Sequence, residues 1–300
     1  RHYADLTDAV AAAVAHRLGD DEAANVALVR AAQRVGMGIT LLPTLYMRSG
    51  FGATTLRTDQ QRFASTPVSI CRLVDDVLAQ TQGMAQVNVG VAVHSLRAAD
   101  APAIAELAQF ANARGLPVHI HIAEQTAEVD ACLAWSGQRP VDWLLNHAPV
   151  DARWCLVHAT HMSPEESTRA ARTGAVAGLC PSTEANLGDG IFDAPTWLQA
   201  NGRWGVGSDS HACVNAAEEL MLLEYSQRLA TRQRNVLATV EQPSVATAMT
   251  LAAAIARANA LYYQPGEWKA LQRNGMKADF SWKNSGAAYA QLYRELVGKA

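Results

Sequence analysis

The chain has 300 residues and 49% of them are hydrophobic, which is sufficient for one large barrel or two modest domains. A formal net charge of −3 and a pI near 6.3 exclude a basic surface for nucleic acid or an anionic membrane. No apolar run reaches the ~18 residues of a membrane span, and the first residues lack the basic-then-apolar pattern of a signal peptide. We therefore expect a cytoplasmic protein that acts on a small molecule.

The cysteines are scattered and show no CxxC spacing, so the sequence contains no zinc-ribbon motif. Their odd number in a large chain indicates reduced thiols, as in a cytosol. They are Cys71, Cys132, Cys155, Cys180 and Cys213.

Helical and strand patterns alternate along most of the chain. The predicted helices cover residues 8–18, 21–35, 68–82, 101–113, 129–135, 140–147 and a segment opened by Ser163. The predicted strands cover 36–46, 86–93, 118–123, 153–161, 174–180 and 203–207, and residues 181–190 are predicted to form a loop. Six strand-then-helix units in succession indicate a parallel sheet, either open and doubly wound or closed into a (β/α)8 barrel.

Polar side chains with catalytic potential cluster at the carboxyl ends of four of the predicted strands. They are His94, Arg97, His121, Glu124, His158, His161, Asp209 and His211. A barrel collects such groups from many strand ends on one face, whereas an open sheet concentrates them at one switch point. The distribution favours the barrel.

The segment 118–125 carries the strongest signal. Its alternation places β-branched residues on one face and the imidazoles of His119 and His121 on the other. An imidazole on a buried face needs a hydrogen bond or a metal ion, so the pair is either two satisfied core histidines or part of a site. Glu124 follows at the end of the strand, where an acid can assist hydrolytic deamination.

Imidazoles and carboxylates together suit zinc or a similar divalent ion. We expect His121 as a ligand, His158 as a ligand or a water-orienting group, and Asp209 as a ligand that also accepts a proton. Spacing alone leaves open whether His119 or His121 faces the metal.

Residues 3–247 resemble the N-formimidoyl-L-glutamate deiminases, a family within the amidohydrolase superfamily of metal-dependent (β/α)8 TIM-type barrels. The resemblance is carried by residues 94–97 (HSLR), 119–125 (HIHIAEQ), 154–161 (WCLVHATH), 182–190 (STEANLGDG) and 207–211 (GSDSH). It implies that the chain deaminates N-formimidoyl-L-glutamate to N-formyl-L-glutamate and ammonia with one zinc ion.

The resemblance also implies a role for each site residue. His121 is a zinc ligand and Asp209 is both ligand and base. Glu124 shuttles protons and His158 positions the attacking water. The glutamate end of the substrate is held by His94 and Arg97, and the fork of donors on arginine suits a carboxylate.

The sequence departs from this family at its beginning. The strand with a His-x-His motif that supplies two further ligands is not found before Tyr3. We therefore expect a barrel that lacks its first two strands, a zinc site that is about half complete, and impaired activity.

The last part of the chain resembles a different family. From about residue 249 the sequence is similar to the terminal helices of bacterial glycogen synthase, which implies no glycosyl transfer by itself. Every lysine lies in this stretch, at Lys269, Lys277, Lys283 and Lys299. We expect two parts, a partial barrel over 1–248 and a helical tail of different origin over 249–300.

Two alternatives to the deiminase remain at this stage. One is another amidohydrolase that deaminates an amidine or an aminopurine. The other is an inactive, metal-poor composite chain whose aromatic tail mediates association. The sequence is compatible with a homodimer but does not decide the assembly.

Overall fold

The computed structural model describes residues 21–35, 38–52, 54–210, 213–238 and 245. Contacts divide the chain into two units, Arg1–Met249 and Thr250–Ala300, and every described residue belongs to the first. The predicted helix over 8–18, the residue His211 and the predicted helical tail lie outside the described residues.

The described strands pair in parallel in two sheets, and the strand order follows the sequence. They are β1 (Ile39–Leu41), β2 (Thr44–Leu45), β3 (Val87–Val89), β4 (Val91–Val93), β5 (Val118–Ile122), β6 (Trp154–His158), β7 (Val176–Leu179) and β8 (Arg203–Val206). β1 pairs with β3, and the larger sheet has the order β2-β4-β5-β6-β7-β8. In a doubly wound sheet the strand order reverses at a switch point. Within the described part of the chain the order is sequential throughout, as in the wall of a barrel.

Two predicted strands are each observed as two short segments. Pro43 has no N–H to donate and interrupts the first pair. Gly90 interrupts the second, and a side chain there would meet Pro117 at 2.7 Å. The ladder nevertheless continues, because Gly90 donates to Leu41 O at 2.8 Å and Ala92 to Pro43 O at 3.0 Å.

The described helices alternate with the strands. They are α1 (Asp21–Val35), α2 (Pro67–Gln80), α3 (Ala101–Arg114), α4 (Thr126–Ser136), α5 (Pro140–His147), α6 (Pro164–Arg172), α7 (Pro181–Leu187), α8 (Ala194–Gln199) and α9 (Ala216–Thr231), with a 3-10 helix at Thr58–Phe63. Local capping accounts for several ends: Ser163 and Glu166 form a capping box on α6, and Gly115 ends α3 in the left-handed conformation. No helix in the described ranges has the length and apolarity needed to cross a bilayer.

The prediction of a loop over 181–190 is wrong for its first part. Pro181 opens α7 at a position where its missing N–H costs nothing. Glu184 accepts from the N–H of Cys180 at 2.8 Å, and Gly188 ends the helix with φ 71°. The predicted strand over 153–161 also ends early, at His158, because the backbone turns into the left-handed region there. No helix was predicted for α8 or α9.

Side chains alternate along the central strands between the hydrophobic core and the opposite face. Val118, Ile120 and Ile122 are buried in the core, while His119 and His121 are half-buried on the other side. All five cysteines are free thiols in the structure.

Candidate active site

Three imidazoles from neighbouring strand ends lie side by side. The ring centroids of His94 and His121 are 5.3 Å apart, and those of His121 and His158 are 5.7 Å apart. His94 also meets the ring of Tyr46 edge-on at 4.7 Å. The structure thus brings β4, β5 and β6 together at their carboxyl ends around these rings.

The ring of His121 has a defined tautomer. Its Nδ1 lies 2.8 Å from the carbonyl oxygen of His94, and a carbonyl can only accept, so Nδ1 carries the hydrogen. The lone pair is therefore on Nε2. Metal-binding histidines show this arrangement, with one ring nitrogen donating to a carbonyl or carboxylate and the other binding the ion.

His158 reaches this cluster because of its backbone. In the strand register it pairs with Ile122, whose side chain faces the core. The left-handed φ of 66° at His158 turns its ring toward His121, whose side chain lies on the face of the strand opposite to that of Ile122. Asp209 has a φ of 40°, also in the region that non-glycine residues rarely adopt. Each such residue costs roughly 1–3 kcal/mol and persists where its surroundings enforce it, commonly at functional sites.

Carboxylates surround the ring of His158. Nδ1 lies 3.3 Å from Glu184 Oε1, while Nε2 lies 3.7 Å from Glu124 Oε1 and 4.0 Å from Asp209 Oδ2. Burial alone would lower the pKa of His158, but the hydrogen bond to Glu184 and the nearby charges outweigh burial and raise it. The ring is 1% exposed, so these contacts are screened little by water.

The thiol of Cys180 lies beside these groups. One ligand atom each from His158, Cys180 and Asp209 fall within 4.8 Å of one another. Burial, reinforced by the Asp209 and Glu184 carboxylates, raises the pKa of the Cys180 thiol far above its ordinary value. Imidazole and carboxylate are donors that zinc takes in proteins, so the histidine and aspartate side chains of this region fit a zinc ion.

Arg97 and Glu128 lie near each other, and Glu128 contacts Glu124. The Nε of Arg97 is buried and has no hydrogen-bond partner among the described residues, nor does Glu128 Oε1. Burial raises the pKa of Glu128, and the charge of Arg97 opposes that effect. Glu128 Oε2 accepts from the N–H of Glu124 at 3.2 Å, which links this pair to the acid of the site.

The remaining histidines of the sequence pattern do not join the cluster in the described part of the chain. His119 lies deeper on the same strand, paired with Ala92 and Cys155, and burial lowers its pKa. His161 bonds through Nε2 to the carbonyl oxygen of Asp189 at 2.6 Å and has a structural role. His121, not His119, therefore faces the other site groups.

Sequence reasoning did not single out Glu184, Cys180 or Glu128. Glu184 and Cys180 fall in or beside a segment predicted as a loop, and Glu128 looks like an ordinary helix acid. Glu184 lies within the 182–190 motif that carries the family resemblance, but no role was assigned to it there. No local pattern marks Cys180 or Glu128, because each contacts the site through the fold.

Residues 10–259 match the family model described as the Amidohydrolase family. The chain belongs to this family. Over 232 residues it is 49% identical to the formimidoylglutamate deiminase of Pseudomonas aeruginosa, covering 77% of this chain and 51% of that enzyme. The chain thus spans about half the length of the curated relative that it matches.

Two solved structures share the fold. The crystal structure of an amidohydrolase from Brucella melitensis superposes with a TM-score of 0.73 at 47% identity, covering 77% of this chain and 50% of that one. An adenosine deaminase from Xanthomonas campestris with bound zinc gives a TM-score of 0.58 at 19% identity, covering 75% and 48%. The predicted α/β amidohydrolase fold class is confirmed.

The second predicted resemblance is also confirmed. A stretch of 60 residues is 52% identical to the glycogen synthase of Novosphingobium aromaticivorans, covering 20% of this chain and 11% of that enzyme. The assignment of residues 249–300 to a separate domain stays a prediction.

Proposed function

We propose that this site catalyses the hydrolytic deamination of N-formimidoyl-L-glutamate to N-formyl-L-glutamate and ammonia. The observation that carries the proposal is the convergence of His121, His158 and Asp209 from three separate strand ends, with the buried acid Glu124 at 3.7 Å from His158. The family relationship and the similarity to the Pseudomonas aeruginosa enzyme support the substrate.

We assign zinc as the cofactor. His121 through Nε2 and Asp209 through its carboxylate would hold the ion, and the bound-zinc deaminase of the same fold supports this choice. When bound, zinc would supply a water with a pKa of about 7 and would polarise the group under attack.

The chain's own residues then move the protons. Asp209 accepts a proton from the attacking water, and His158, fixed by Glu184, orients that water. Water adds to the formimidoyl carbon, and both of its protons are passed to the terminal nitrogen, the one held by Asp209 and one carried by Glu124, so that this nitrogen leaves as ammonia. One water is consumed and one ammonia released, so the C=N bond becomes a C=O bond.

The substrate's carboxylates require cationic or donor groups. Arg97 is half-buried, and its Nε lacks a hydrogen-bond partner in the described residues. A guanidinium whose buried Nε lacks a partner favours an anionic ligand, because it can form a charge-assisted, bidentate pair. His94 lies beside His121 and completes this side of the site.

Ammonia release by the 300-residue chain, supplied with zinc, tests the proposal. We expect release from N-formimidoyl-L-glutamate above the background of Glu124→Gln, and none above that background from adenosine. Arg97→Leu should raise KM for the dicarboxylate more than it lowers kcat, because it removes binding at a group remote from the reacting carbon. Release from adenosine alone would favour the aminopurine reading and overturn the proposal.

A further inference from the structure

Three consecutive polar side chains in the first turn of α7 are buried. Ser182, Thr183 and Glu184 are 7%, 1% and 5% exposed. Buried polar groups need partners, and each of these three finds its partner on a different element. Residues 182–184 together form the α7 turn.

Glu184 connects the α7 turn to β6. Its Oε1 accepts from the N–H of Cys180 at 2.8 Å and lies 3.3 Å from Nδ1 of His158. A carboxylate at Nδ1 fixes the ring plane and directs Nε2 to the other side of the ring. That side faces Glu124 and Asp209.

Thr183 connects the α7 turn to the residues on both sides of Asp209. Its hydroxyl oxygen accepts from the N–H of Ser210 at 3.1 Å. Its hydroxyl hydrogen can go to Ser210 Oγ at 2.8 Å or to Ser208 O at 3.4 Å. Thr183 therefore holds the backbone around Asp209, whose φ is 40°.

Glu219 on α9 fixes the α7 turn itself. Its carboxylate accepts from the N–H of Ser182 at 2.9 Å and from the Ser182 hydroxyl. Glu219 is 2% exposed, so the pair is shielded from water. The turn thus has a support that does not depend on the site groups.

We propose that Thr183 and Glu184 are positioning residues that set His158 and Asp209 relative to each other. Both targets have left-handed backbone and lie on different strand ends, so neither can fix the other through the sheet ladder. The α7 turn bonds to His158 through Glu184 and, through Thr183, to Ser208 and Ser210 on either side of Asp209. The effect on catalysis rests on the proposed deaminase function, whereas the effect on local structure does not.

Paired variants of the full chain separate a lost hydrogen bond from lost packing. Thr183→Val and Glu184→Leu remove the polar contacts, while Thr183→Ser and Glu184→Gln keep an acceptor oxygen. Glu224→Leu is the matched control, because Glu224 is a buried acid on α9 that accepts from the N–H groups of Val236 and Leu237, away from the site.

Amide-resolved hydrogen exchange is the first readout and needs neither metal nor substrate. We expect faster exchange at Ser210 in Thr183→Val and at Cys180 in Glu184→Leu, with protection regained in the serine and glutamine variants. Glu224→Leu should speed exchange at Val236 and Leu237 and leave Ser210 and Cys180 protected. Unchanged exchange at Ser210 and Cys180 in the first two variants would overturn the proposal.

Kinetics of ammonia release are the second readout. We expect kcat to fall about tenfold to hundredfold in Thr183→Val and Glu184→Leu, as for other groups that orient site residues, with KM unchanged. The conservative variants should recover most of the loss. An equal loss of kcat in Glu224→Leu would show that the loss reflects general stability. That result would overturn the positioning role of the α7 turn. If the wild-type chain releases no ammonia, the proposed function fails while the exchange result still decides the structural claim.

Discussion

The carbonyl oxygen of His94 accepts two hydrogen bonds from His121, one from its backbone N–H at 3.2 Å and one from its ring Nδ1 at 2.8 Å. A carbonyl oxygen has two lone pairs and can serve both donors. The same oxygen therefore registers β5 against β4 and orients the imidazole. The ring that we assign to zinc is set in place by the sheet.

Replacing His121 with alanine should weaken zinc binding. Mutating a residue that only hydrogen-bonds to a metal ligand costs about 10–100-fold in metal affinity. Loss of the ligand itself should therefore cost at least about 100-fold in zinc affinity. Competition against a chelating dye measures the change. His147→Ala is the control, because that ring bonds to Trp143 O on α5, outside the site. Equal zinc affinity in the His121 variant and the wild type would remove His121 from the ligand set.

Glu124→Gln should abolish turnover without loss of bound zinc. The amide keeps the size of the side chain but cannot carry the transferred proton, and general acid–base catalysis contributes about 10²–10⁴-fold. Ammonia release and metal content are measured on the same preparation. Glu165→Gln, an exposed acid on α6, provides the reference for a charge change alone. If Glu124→Gln retained the wild-type rate, the proton-transfer role would be wrong.

The alternation of strands and helices was predictable, because hydrophobic periodicity and the residues that cap helices and form turns reflect local physics. The predicted bounds of Pro140–His147 and Asp21–Val35 match the structure, and the Ser163 cap was visible as a motif. Residues 181–187 form a helix although their proline, serine, threonine and asparagine residues are typical of turns. Their helix is held by Glu219, which accepts a hydrogen bond from Ser182. Glu219 lies 37 positions away in the sequence, so no local pattern reveals this contact.

The site was predictable in composition but not in geometry. Strand ends identified His121, Glu124, His158 and Asp209 as neighbours, and the structure brings them together. Simple alternation would have placed His158 in the core with Leu156, and only the left-handed turn at His158 corrects that. The roles of these residues, the half-complete zinc site and the impaired activity stay predictions.

Glu166 should be among the most important residues for stability. It is fully buried and accepts from Arg139 Nε at 2.7 Å and from the N–H groups of Val141, Asp142 and Ser163 at 2.8–3.1 Å. Glu166→Leu would leave these donors without their acceptor. Breaking a buried pair in this way costs about 3–5 kcal/mol. Urea unfolding measures the loss, and the exposed neighbour variant Glu165→Leu should change stability little.

Glu128 should make stability depend on pH in a defined direction. Burial raises its pKa above the ordinary value of 4.5, and the opposing charge of Arg97 does not cancel that effect. The folded state therefore holds the proton more tightly than the unfolded state, so this contribution to stability is complete below pH 4.5 and is lost as pH rises through the folded pKa. Glu128→Gln should remove that slope and raise the melting temperature at neutral pH.

The glutamine variant keeps the acceptor for the Glu124 N–H, so the comparison isolates the charge. Thermal melts of wild type and Glu128→Gln between pH 4 and 8 are the measurement. Asp151→Asn should change the pH dependence of stability in the opposite direction. The hydrogen bond to Arg153 lowers the pKa of Asp151, so the wild type gains stability from this group as pH rises. A Glu128→Gln protein that melted below the wild type at neutral pH would show that the carboxylate is held ionised by Arg97, against the effect of burial.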